Sequence, residues 1–210
     1  MNEDTKYTKL QFSLNEFANH LVQIEANRDR LLKEYREIIA NCSKAIITLH
    51  GNKINQATEM LEKASISLQS LKKLIISDLD RYLWPAEQEY VEAIILLEIM
   101  EKKESLSNNL DLEVSPNAYL TGLLDCIGEI KRMVYDKLRK NDFETCLSLF
   151  DTMQSLYDYA YPFSTYDNIV PGVRKKLDVA KRIIEDVRIT MTEEIRRKDF
   201  LERFENKVQI

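Results

Sequence analysis

Helical periodicity runs through this chain almost without a break, and that leaves few folds open to it. Phe12, Leu14, Phe17, Leu21, Ile24, Leu31, Leu32, Ile38, Ile39, Ile46 and Leu49 follow one another mostly at helical spacing and trace one long first helix. Only 4 Gly and 4 Pro interrupt 210 residues, too few for a β protein that turns every dozen residues. These residues fall where helices should begin and end. Gly51 is a good stop for the first helix. A second helical stretch covers residues 55–83, and Pro85 opens a third, to about residue 103. Residues 105–115 read as a loop. Ser115-Pro116 reads as the N-cap and first turn of a fourth helix, to about residue 139. Asn141 is placed to cap a fifth, ending near Tyr161-Pro162, and Pro171 precedes a long charged helix. The expectation is an all-α, single-domain bundle over residues 1–210, with six to seven helices and no strand.

Composition narrows the function classes. A hydrophobic fraction of 44% with 31% charged residues is that of a globular chain. A net charge of −5 excludes a surface coated in positive charge but leaves room for a local basic groove. Three cysteines with no Cys-x-x-Cys pair point to a reducing compartment and away from zinc. The acidic start, Met-Asn-Glu-Asp, does not resemble a signal peptide, and the longest apolar run is too short to span a bilayer. The chain is therefore expected to be cytoplasmic, with no membrane partner.

Four carboxylates carry the chemistry. Glu89 and Glu92 stand on the third helix, Asp125 and Glu129 on the fourth. Residues three or four apart share a helix face, and convergent carboxylate oxygens suit a hard cation such as Mg²⁺ or Mn²⁺. On a helical wheel Glu87 and Glu98 fall on one side of the third helix, which reads as its solvent stripe. Glu89 and Glu92 fall opposite, on a helix otherwise apolar nearly all round and hence buried. Buried carboxylates need compensation, by a cation or by an arginine. Asp125 and Glu129 lie off the apolar face of the fourth helix, with Thr121, Gly122, Gly128 and Arg132. That face reads as solvated, except that glycines inside a helix cost stability and suit close approach of a helix or ligand. A di-iron centre fits less well. It wants Glu-x-x-His, and His20 and His50 are far from these acids in sequence.

At these residues the chain resembles the translin family, and specifically its translin-associated factor X (TRAX) branch and stand-alone archaeal relatives. The likeness is carried by Tyr35-Arg36-Glu37-Ile38, Ser43-Lys44 and Leu49-His50. It continues in Glu89-Tyr90-Val91-Glu92-Ala93 and in Tyr119-Leu120-x-Gly122-x-x-Asp125-x-x-Gly128-Glu129. Tyr157, Tyr161-Pro162 and Arg174-Lys175-Lys176-x-Asp178-Val179-Ala180 complete it. Thr121, Cys126 and Lys131 depart mildly from the pattern. The resemblance implies an all-α fold of about seven helices assembled into a hollow homo-oligomer, commonly an octamer, holding nucleic acid inside. It implies a Mg²⁺- or Mn²⁺-dependent endoribonuclease acting on single-stranded or short duplex RNA, with single-stranded DNA as a further ligand. Glu89, Glu92, Asp125 and Glu129 are the implied catalytic and metal-binding acids.

Cations must line the path of RNA, which carries a phosphate on every nucleotide. Arg132 is the first candidate, seven residues after Asp125 and three after Glu129 on one stripe. Arg36 and Lys44 match family positions on the first helix. Two other classes compete with the nuclease. One is a translin-type nucleic-acid-binding protein without cleavage. The other is a helical scaffold whose acids only pair with arginines.

Overall fold

The computed structural model describes residues 3–208. Six α-helices follow in order: α1 (Glu3–His50), α2 (Ile54–Lys72), α3 (Trp84–Met100), α4 (Pro116–Leu138), α5 (Phe143–Ala160) and α6 (Val173–Val208). Short 3₁₀ turns at Leu79–Tyr82 and Tyr161–Thr165 complete the order, and no strand occurs among the described residues. The all-α expectation holds. No helix among these residues is long and apolar enough to cross a membrane. The chain divides into two compact units, one ending at Tyr90 and the other beginning at Val91, within α3.

In the first unit α1 and α2 form a helical hairpin. Leu31, Ile38, Cys42, Ala45 and Leu49 of α1 are buried, as are Ala57, Leu61, Ala64, Leu68 and Leu71 of α2. The α2 set repeats at three- and four-residue steps and the α1 set at steps of seven, four, three and four, so each helix offers one apolar stripe to the other. Gly51 ends α1 as expected, but the left-handed residue is Asn52, with φ 57°. Gly51 is needed for closeness instead: a Cβ there would sit 3.2 Å from the Thr48 carbonyl oxygen. α2 stops earlier than its pattern suggested, at Lys72, and the Asn27 amide holds the chain that follows by donating to the Leu74 carbonyl at 2.9 Å.

In the second unit α4 packs against both α5 and α6, which also touch each other. Leu124, Ile127, Ile130 and Val134 of α4 are buried together with Cys146, Leu149 and Met153 of α5. Val173, Leu177, Ala180, Ile184, Val187 and Met191 make the buried stripe of α6. Local capping sets the helix starts. The Ser115 hydroxyl accepts from the Ala118 N–H at 3.3 Å, with Pro116 behind it, as the sequence indicated. The cap of α5 is Asp142, which accepts from the Thr145 N–H at 3.2 Å. Asn141, the expected cap, is instead the left-handed residue before it, with φ 58°.

Two surface expectations are corrected. Glu87 and Glu98 do not form a solvent stripe on α3; they are 5% and 2% exposed. Each has a partner that a helical wheel cannot show. Glu87 faces the Lys72 ammonium at 3.5 Å. Glu98 accepts from the Ser107 N–H at 2.9 Å, the Ser107 hydroxyl at 2.5 Å and the Lys103 ammonium at 3.1 Å. The loop between α3 and α4 thus folds back over the end of α3. The second face of α4 is not solvated either: Ala118, Thr121, Gly122 and Cys126 are all buried.

Candidate functional site

The second half of α3 and the middle of α4 bring three of the four expected acids into one neighbourhood. Glu92 is buried, 9% exposed, on a helix buried from Val91 to Ala93 and from Ile95 to Glu98. Asp125 and Glu129 are half-buried one turn apart on α4. Between them on the helix lies Cys126, whose side chain is fully buried. Burial pushes the Cys126 thiol well above its ordinary pKa, and the charges of Glu92, Glu129 and Asp125 push it further. All three carboxylates therefore lie within electrostatic reach of one buried sulfur. A cluster of like charges in a low-dielectric place is costly unless a cation shares it.

One cation that shares it is a lysine. The Lys176 ammonium donates to both oxygens of Asp125, at 2.6 Å each. Its position follows from how α6 begins. Gly172 takes φ +83°, a left-handed turn that only glycine adopts without strain, and the Asp167 carboxylate accepts from the Arg174 N–H at 3.0 Å. Together they set the first turn of α6 so that Lys176 reaches α4. The sequence offered Arg174, Lys175 and Lys176 in a row with nothing to single out the third. Their phase on α6 decides it: Lys176 lies one residue before Leu177, which is buried, and three after Val173.

Oxygen donors of this kind suit Mg²⁺ or Mn²⁺. Their placement is that of a centre neutralised by lysine. Among the described residues no three His, Cys, Asp or Glu side chains converge closely enough to hold one ion. Glu89 lies in the first unit. It is half-buried, one turn before Glu92 on α3, and accepts from the Ser43 hydroxyl of α1 at 3.3 Å.

A cleft of mixed charge opens on the same helix. It has a volume of about 970 Å³ and is lined by Gly128, Lys131, Arg132 and Asp136 of α4, by Arg139 just after that helix, and by Thr190 and Glu194 of α6. Lys131 is tied to Asp186 at 3.1 Å and lies over the Tyr135 ring, and Arg139 is paired with Asp136. Arg132 is exposed and makes no ion pair among the described residues. It is the cation most available to an arriving phosphate. Gly128 in the cleft wall has room to spare: a Cβ would come no closer than 4.0 Å, to Ile183 Cδ1. Packing within the chain does not require a glycine there. Arg36 and Lys44, in the first unit, are both exposed on α1, and neither makes an ion pair among the described residues.

Comparison with known proteins gives a consistent picture. The crystal structure of AfC3PO superposes with a TM-score of 0.79 at 32% identity, over 87% of this chain and 96% of that one. AfC3PO in complex with duplex RNA gives 0.80 at 32% identity, with the same coverage. Apo-NeC3PO gives 0.73 at 20% identity over 86% of this chain, a likeness of fold. An uncharacterized protein of Methanocaldococcus jannaschii is 28% identical over 202 residues, 90% of this chain and 87% of that protein. Residues 26–190 match the Translin family along most of the chain, and the protein belongs to that family.

Proposed function

We propose that this chain is a Mg²⁺- or Mn²⁺-dependent endoribonuclease of the TRAX type. The observation that carries the reading is the gathering of Glu92, Asp125 and Glu129 about the buried Cys126, beside a cleft on the same helix whose exposed arginine is available to phosphate. The RNA bound to AfC3PO, at 32% identity, supports RNA as the ligand of this fold. Assembly into a hollow homo-oligomer, commonly an octamer, belongs to the same proposal, as does single-stranded DNA as a second ligand.

Glu92 and Asp125 would contribute to holding the cation once Lys176 has left Asp125, because as the side chains stand no three acids of the described residues converge on one ion; Glu89 stands one turn away on α3. The cation would contribute Lewis acidity toward the phosphate and lower the pKa of water. Arg132 binds a phosphate oxygen and positions the backbone. Glu129, half-buried and next in sequence to Gly128 of the cleft wall, accepts the proton of the attacking water as that water's oxygen bonds to phosphorus, and the leaving oxygen takes a proton from solvent as its own P–O bond breaks.

A second reading has its own observation. With Lys176 on both Asp125 oxygens, the acids could serve as a structural ion-pair network in a protein that binds nucleic acid without cutting it. The test is incubation with single-stranded and duplex RNA, with Mn²⁺, with Mg²⁺ and with EDTA. Cleavage only with metal, and its loss in folded Glu92→Gln and Asp125→Asn proteins that still bind RNA, supports the nuclease. Binding without cleavage under every condition replaces it with the second reading.

A further inference from the structure

The cleft on α4 is better furnished for one nucleotide than for a run of phosphates. Its wall carries three cations, but two are already committed. Lys131 is bridged to Asp186 at 3.1 Å, and Arg139 is paired with Asp136. Two acids, Asp136 and Glu194, stand among them. Of the three cations only Arg132 makes no ion pair among the described residues. A single free guanidinium holds RNA weakly and loses it as salt rises. A further contact has to be uncharged, and Tyr135 supplies it. Among the described residues that line the cleft it carries the one aromatic ring. It follows Arg132 by three residues, so the two side chains are neighbours on one face of α4. The Lys131 ammonium lies over the ring, 5.5 Å from its centroid, and Asp186 pins that ammonium in place. The ring is thus held from one side. Being half-buried, it keeps part of its surface open to the cleft it lines. A ring already fixed loses little freedom when something stacks on it.

A guanidinium beside an aromatic face matches the two ends of one nucleotide, the phosphate on the arginine and the base on the ring. We propose that Tyr135 is a stacking platform for one unpaired base of RNA, next to the phosphate held by Arg132. The proposal rests on RNA as the ligand of this cleft, the reading given above, and not on cleavage. It makes Tyr135 a residue that sets specificity. A base inside a duplex is stacked on its neighbours and has no free face to offer, whereas the bases of a single strand can be splayed onto a ring. Tyr135 lies six residues after Glu129 on α4, about 9 Å along the helix axis, so the held base stays close to the acids.

The test measures binding of the full chain to single-stranded and to blunt duplex RNA, by fluorescence anisotropy in EDTA. Failure of cleavage, which bears on the nuclease reading alone, therefore does not enter the result. Tyr135→Leu keeps an apolar side chain in the half-buried position and removes the aromatic face. It should weaken the single strand about tenfold and the duplex less than about twofold. The slope of log affinity against log salt should stay as in the parent, because no charge is lost. Tyr135→Phe should bind both RNAs as the parent does. Arg132→Gln should weaken both and reduce that slope by about one. Equal loss on both RNAs in Tyr135→Leu, or no loss on the single strand, overturns the platform. So does a loss in Tyr135→Phe as large as in Tyr135→Leu, which would assign the contact to the hydroxyl. No binding of either RNA by the unaltered chain overturns the proposal together with RNA as the ligand.

Discussion

Both carboxylate oxygens of Asp125 accept from the Lys176 ammonium at 2.6 Å, a bridge between α4 and α6 across 51 residues of sequence. The ammonium occupies the positions that a divalent cation would take on that carboxylate. On the proposed metal-dependent reading, a cation would have to displace it, and its affinity would be set against an internal competitor. Lys176→Met removes the competitor and keeps much of the side-chain length. The expected result is Mn²⁺ binding tightened by a few-fold to about tenfold, roughly 1 kcal/mol in isothermal titration. Thermal stability without metal should fall, because Asp125 then loses the Lys176 ammonium that bridges it to α6. Binding no tighter than in the unaltered protein would show that Lys176 does not compete.

Glu98 is the buried anchor of the loop between α3 and α4. Its carboxylate takes two hydrogen bonds from Ser107 and one from Lys103, and the Tyr119 hydroxyl donates to the Ser107 carbonyl at 2.9 Å. Glu98→Ala leaves the Ser107 donors to find water in a packed place. A loss of about 1–3 kcal/mol in chemical denaturation is expected. Hydrogen exchange at the Ser107 amide should rise together with it. Unchanged exchange there would mean that the loop is held by something else.

These two pairs also show what the sequence could and could not disclose. Ser115-Pro116 was legible because capping is local chemistry between neighbours. The buried character of α3 was legible because Val91 to Leu97 is apolar nearly all round. Glu98 was misplaced because a wheel describes one helix alone, and its burial comes from a loop that folds back. α2 was read too long because helical spacing persists past Lys72 into a 3₁₀ turn. Asn141 and Asp142 are hard to tell apart as the cap of α5, since Asn and Asp both cap and both visit left-handed turns. Glu92, Asp125 and Glu129 were picked out by spacing and resemblance. Lys176 was not given a role, because no rule of spacing links the first turn of α6 to the middle of α4.

Asp142 ties acid sensitivity to a helix start. Hydrogen bonds from Thr145 hold its carboxyl below the ordinary carboxylate range, and Lys137, 3.3 Å away, acts in the same direction. A depressed folded-state pKa stabilises above the unfolded value, about 3.9, and that gain is lost as pH falls through the folded one. Asp142→Ala should therefore melt at a lower temperature than the parent at pH 6, with the gap closing as pH drops toward 2. A gap that stays constant across the range would assign the cap no charge-dependent part.

Gly128 separates what the chain's own packing needs from what an approaching ligand needs. A methyl group there meets nothing nearer than 4.0 Å, so the fold can accept alanine. Alanine also removes the penalty of glycine inside a helix. Gly128→Ala should raise stability by about 0.5–1 kcal/mol, a shift of roughly 2 °C in melting temperature. In the cleft the same methyl stands beside Arg132, where the RNA backbone would pass close to α4. RNA affinity should fall in the stabilised variant, measured by fluorescence anisotropy at fixed salt. A lower melting temperature would show that the helix is packed more tightly at Gly128 than its geometry indicates. A higher one with undiminished affinity would place the RNA away from this wall of the cleft.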